Sequence, residues 1–171
     1  MYNYAKGKKK FFFFLFLFLF LFFIIYLYIP KFLNFSIESI EDSLKNNNNI
    51  NIRKISKVEY NIFPTPRLSL KDSDFTIGKN MFEVRNSKIE IILNISQILN
   101  PAEINYKKLL IDKGFSKLNF NNINQILTII DQSKKRIIFK GNNIVFFDNK
   151  KFFFEINNVL IKIRRVGKKK E

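Results

Sequence analysis

FFFFLFLFLFLFFIIYLYI, residues 11–29, runs for nineteen residues without a charge. At about 1.5 Å of rise per residue, a helix of this length crosses the roughly 30 Å of hydrocarbon in a bilayer. Inside lipid every backbone polar group must be bonded within the segment, so a lone span has to be helical, although Phe is only a fair helix former in water. Phe11, Phe14, Phe18, Phe22, Ile25 and Ile29 mark the spanning positions. Each central Phe, Leu or Ile favours insertion by about 0.3–0.6 kcal/mol. Tyr26 and Tyr28 stand at the outer end, where amphipathic rings favour the interface, and Pro30 closes the helix. The span is long for the apolar region of a signal peptide and ends without a small-residue cleavage site, so it reads as an uncleaved anchor.

Charge on either side sets the orientation. Lys6, Lys8, Lys9 and Lys10 precede the span, only Lys31 follows it closely, and Glu38, Glu41 and Asp42 come soon after. The positive-inside rule then makes Lys8, Lys9 and Lys10 the topology-setting residues, with the N-terminus cytoplasmic and the remainder on the far side. The expected layout is a basic flank (1–10), the span (11–29), a juxtamembrane segment and linker (30–49), a β-rich module (50–163) and a basic tail (164–171).

Composition excludes much chemistry. The chain has no Cys and no His, which removes disulfides, thiolate ligands, imidazole ligands and the commonest general base. No metal or other cofactor is expected. Part of the net charge of +16 sits in the two basic ends. Residues 32–163 hold twenty basic and thirteen acidic side chains, a surplus of seven. That surplus suits anionic headgroups, and equally a solvated surface in a Lys-rich chain. Nucleic-acid binding would need aromatics interleaved with a basic patch, and no such pattern is present.

Beyond the span, Ile37, Ile40 and Leu44 at helical spacing suggest a short juxtamembrane helix capped by Ser36, ending at the polar run 46–49. Alternation then predicts strands over 50–63, 68–77, 82–93, 104–111 and 115–120, with a short helical turn near 96–100. Ile123, Ile126, Leu127 and Ile130 fall at i, i+3, i+4 and i+7, the face of a helix expected to pack on the sheet. Strands resume over 137–140, 144–147 and 152–163, separated by Gly141-Asn142 and by a hairpin turn at 148–150. The continuous aromatic run 152–154 predicts a stretch covered on both faces. The fold class is α+β: a transmembrane helix followed by a mainly antiparallel, curved sheet with one amphipathic covering helix. Tyr60, Leu68, Leu70, Phe82, Ile91 and Leu118 are the expected groove or core positions.

No catalytic constellation emerges, and the chain is not expected to be an enzyme. Asp72 and Asp74 lie two apart, as paired carboxylates would on a strand, but no third ligand recurs nearby. They read as turn and surface residues.

The order of these features resembles a family. An N-terminal span, PRLSLKDSDFTIG (66–78), LNISQILNPAEINYKKLLIDKGFSKLNF (93–120) and KGNNIVFFDNKKFFFEINNVLIKI (140–163) look like the N-terminal module of AsmA-like proteins. The likeness covers about residues 11–163 and rests on patterns of hydrophobicity and turns. It implies a single-pass protein of the bacterial inner membrane with a periplasmic domain. The implied role is envelope biogenesis through lipid handling or transport along an apolar β-groove. A tethered scaffold without lipid cargo is the alternative. Family members continue with many more strands, so the sheet is expected to be extended after residue 163 by another copy or another protein through strand addition. The implied partners are membrane lipid and such a protein, not nucleic acid.

Overall fold

In the computed structural model, which describes residues 2–78, 81–148 and 151–163, an apolar N-terminal helix leads into an α+β domain built on one mixed, mostly antiparallel sheet. Helix α1 (Tyr2–Tyr28) passes into a 3-10 turn (Ile29–Phe32) with Pro30 in its first turn. Its stretch Lys10–Phe32 is long and apolar enough to cross a membrane, and none of its most apolar window is buried against the rest of the chain. Phe11, Phe14, Phe18, Phe22, Ile25 and Ile29, the expected spanning positions, are all exposed. Lys10 is exposed too. Lys8 and Lys9 lie on α1 with side chains outside the described set, as does the predicted basic tail 164–171.

Helix α2 (Ile37–Asn48) starts as its sequence dictates. The Ser36 hydroxyl accepts from the Ser39 N–H, meeting one of the orphan donors of the first turn. Its end departs from expectation. The helix continues through the polar run to Asn48 and stops at Asn49, which adopts the left-handed conformation (φ 54°) that a C-terminal cap requires. Ile40, Leu44 and Asn48, four residues apart, are fully buried. Residues 46–48 are therefore no break but the last turn of the expected juxtamembrane helix. That helix is a covering helix and belongs to the same core as the sheet.

The strands are β1 (Ile50–Lys54), β2 (Lys57–Asn61), β3 (Arg67–Ile77), β4 (Phe82–Leu93), β5 (Tyr106–Asp112), β6 (Phe115–Asn119), β7 (Arg136–Asp148) and β8 (Lys151–Ile163). Strands β2 and β1 lie end to end along β3, opposite 67–71 and 74–77 respectively. Strands β5 and β6 likewise lie end to end between β4 and β7. Both run parallel to β7, and the other pairings are antiparallel. A parallel neighbour needs a crossover. It is made by a 3-10 turn (Phe120–Asn122) and helix α3 (Ile123–Asp131).

Gly141-Asn142 does not separate two strands. It is a bulge inside the continuous β7, with Gly141 at φ 64°. Asp72, Asn86, Lys113 and Asn158 also have positive φ. The pairings Ser73–Ser87, Lys88–Asp112, Asp112–Lys140 and Asn142–Val159 place these irregularities in one row across the sheet. Bulges bend and twist the strands that carry them. Side chains of neighbouring strands satisfy the N–H groups exposed there: Asp74 accepts from Asn86, Asn142 from Gly114 and Asn143 from Asn158. Gly114 is required sterically, since a Cβ would lie 2.6 Å from the Asn142 Oδ1 and 2.7 Å from a Val84 methyl. Asp72 and Asp74 thus belong to a mid-strand bulge, not to a turn.

Helix α3 corrects a further expectation. Ile126 is buried at 5% exposure, but Leu127 is 54% exposed. Among the described side chains, Ile123 and Ile129 pack beside Ile126. The Ile129 Cδ1 occupies the space beside Gly78, 2.5 Å from where a Cβ would sit. The Ile130 side chain lies outside the described set.

Candidate functional site

In an antiparallel pair, residues directly opposite each other share a face. One face of the sheet carries Leu68, Leu70, Phe75, Ile77, Phe82, Val84, Ile89, Ile91, Leu109, Ile111, Leu118, Ile137, Phe139, Ile144 and Phe146, all buried in a single cluster with Ile40 and Leu44 of α2 and Ile126 of α3. Leu68, Leu70, Phe82, Ile91 and Leu118 are consequently closed core, not open groove. Tyr60 is partly buried and stacks on Phe35. Its hydroxyl donates to the Leu27 carbonyl, and burial, with Tyr26 nearby, pushes its pKa up to about 12.

The closure is pinned by a polar clasp. The Tyr106 hydroxyl on β5 donates to the Asn48 side-chain oxygen, and the Asn48 amide donates to the Lys135 carbonyl. The Lys134 N–H donates to the Asn47 carbonyl at 2.7 Å, and the Ser43 hydroxyl to the Ile104 carbonyl. Burial raises the Tyr106 pKa above its ordinary value. A buried amide and phenol left unpaired would each be costly, so this set fixes where α2 lies.

The cover ends at β8. Its residues Phe154, Ile156, Val159, Ile161 and Ile163 stand opposite Phe146, Ile144, Asn142, Phe139 and Ile137 of β7. All five β7 partners are buried. On β8, Phe154, Val159 and Ile163 are only partly covered, and Ile156 and Ile161 remain 45% and 38% exposed. The apolar face therefore runs out from beneath the helices at the sheet's edge. Phe152 and Phe153 at the start of β8 are exposed, so the aromatic run 152–154 is not covered on both faces. Phe153 touches Phe120 and Phe154 stacks on Phe146 at 4.4 Å between centroids. The turn residues 149–150 lie outside the described set. Strand β8 pairs only with β7, leaving its other backbone edge free among the described residues.

Clefts flank the cover. One of about 560 Å³ lies between the end of α2 and α3, lined by Lys45, Asn49, Asn51, Gly78, Met81 and Ile129. A polar one of about 370 Å³ lies on the outer side of α2, where Glu38, Asp42 and Ser43 face Glu103, Asn105 and Lys135. Sequence reasoning missed the clasp because Asn48 sits in a run of four asparagines that looks like solvated linker. Only the tertiary position of Tyr106 distinguishes it. No protein-family model, curated protein or solved structure matches this chain.

Proposed function

We propose that this protein is a membrane-tethered lipid-handling domain of the bacterial envelope. Helix α1 crosses the inner membrane with Lys8, Lys9 and Lys10 on the cytoplasmic side. The sheet stands in the periplasm, where it engages lipid without catalysing a reaction. The observation that carries this reading is the inner face of β8, apolar at five successive inward positions and uncovered at Ile156 and Ile161. Apolar surface left in water costs about 25 cal/mol per Å², and acyl chains can cover it without polar contacts. The AsmA-like order of the elements supports the same role.

A photo-crosslinking amino acid placed at Ile156 or Ile161 in native membranes should yield lipid adducts, and one at the outward Leu160 should not. Absence of lipid adducts at both inward positions would overturn the proposal. A reporter active only outside the cytoplasm, fused after Ile163, tests the orientation, and activity of a cytoplasm-only reporter there would reverse it. The free backbone edge of β8 favours a second reading, a scaffold that receives a partner strand. Protein adducts in place of lipid adducts would select it.

A further inference from the structure

Two hydrogen bonds join the last turn of the apolar helix to the domain. The Tyr26 hydroxyl donates to the Ile95 carbonyl at 2.8 Å, and the Tyr60 hydroxyl donates to the Leu27 carbonyl at 2.9 Å. Tyr26 and Leu27 also pack against the domain's core. The apolar stretch continues past both residues to Phe32. The turn after β4 and the end of β2 therefore stand beside the helix at a level still within the span.

Apolar side chains are exposed at that same level. Phe32 is 82% and Phe63 79% exposed, and Ile95 and Leu99 are exposed as well. Phe63 lies three residues after Tyr60. Ile95 and Leu99 flank Ile98, which is buried in the core and holds their turn in place. The loops that carry Phe63 and Ile95 are neighbours, since the Leu93 N–H donates to the Pro66 carbonyl at 3.0 Å. A cluster of large apolar side chains in water is unfavourable. The same cluster beside the outer end of a membrane helix lies where apolar and aromatic groups are stabilised by the boundary between headgroups and acyl chains.

We infer that the base of the domain is itself a membrane-docking surface. Phe32, Phe63, Ile95 and Leu99 enter the headgroup–acyl boundary of the bilayer that α1 crosses, seating the domain on the membrane rather than leaving it at the end of a tether. The inference rests on the anchoring reading above and deepens it. Continuity with the apolar helix, fixed by the Tyr26 and Tyr60 hydrogen bonds, identifies the occupant as lipid. Docking of this kind would bring the clasped end of the sheet against the source of any lipid the domain handles.

The chain has no Trp, so single tryptophans report depth without background. Full-length protein carrying Phe63→Trp, Leu99→Trp, Phe18→Trp or Phe152→Trp would be reconstituted in phosphatidylglycerol–phosphatidylcholine vesicles, with bromines placed shallow or deep along the acyl chains. F63W and L99W should show blue-shifted emission quenched more by shallow than by deep bromines. F18W should be quenched by deep bromines, and F152W, at the opposite end of the sheet, by neither. Quenching of F18W without blue shift or quenching at F63W and L99W would overturn the docking surface and leave the anchor intact. Failure of F18W to quench would overturn the anchor, and the docking surface with it.

Discussion

Helices α2 and α3 are both amphipathic and both lie over the sheet, yet α2 buries three side chains completely and α3, among its described side chains, buries Ile126 alone. Helix α2 buries Ile40, Leu44 and Asn48 completely. It has little freedom to do otherwise. Its start is tied to the turn after α1 by residues 33–36, and its end passes through Asn49 straight into β1. Helix α3 buries Ile126, half-covers Ile123 and Ile129 and leaves Leu127 in solvent. Its apolar spacing is the more regular of the two. Periodicity therefore tells which side of a helix is apolar, and the chain's connections decide how much sheet lies beneath it.

The comparison breaks most readily at Leu44. Leu44→Ala removes a fully buried side chain and should cost about 2–5 kcal/mol in denaturant unfolding. A loss below about 0.5 kcal/mol would place α2 among the loosely held elements. Asn48→Ala comes next. It strands the Tyr106 hydroxyl and the Lys135 carbonyl, and a loss of about 1–3 kcal/mol is expected, the cost of an unsatisfied buried group.

The same clasp predicts a pH dependence. Burial raises the folded-state pKa of Tyr106 above the ordinary value of 10.0. Above about pH 10 the unfolded chain loses this proton while the folded one keeps it, so stability is full below that pH and falls as pH rises. The slope from this residue is at most about 1.4 kcal/mol per pH unit. Tyr106→Phe should flatten it, and an unchanged alkaline slope would contradict a buried phenol. The smallest effect belongs to α3: Leu127→Ala should change stability by less than about 0.5 kcal/mol. A loss comparable to that of Leu44→Ala would erase the distinction between the two helices.

Residues 11–29 determined their own state. Nineteen uncharged apolar residues, far too apolar for the small domain to wrap, form a helix whose most apolar window has nothing buried against the rest of the chain. The strands of β3, β4 and β8 were legible for a related reason: alternation is a local property, and their bounds follow it closely. The α+β class was visible from the same patterns. What the sequence left open depended on neighbours. Gly141-Asn142 reads as a break until β8 and β6 lie on either side of β7 and turn it into one bulge of a row. Asn48 reads as linker until Tyr106 arrives from fifty-eight residues away. Whether Leu68 or Ile156 faces a core or open space was not written in either residue, because both belong to the same apolar face. Tertiary structure alone decided it, since Leu68 joins the cluster that holds Ile40 and Leu44 of α2 while the cover ends before β8, and burial is a property of what lies opposite a side chain rather than of the side chain itself.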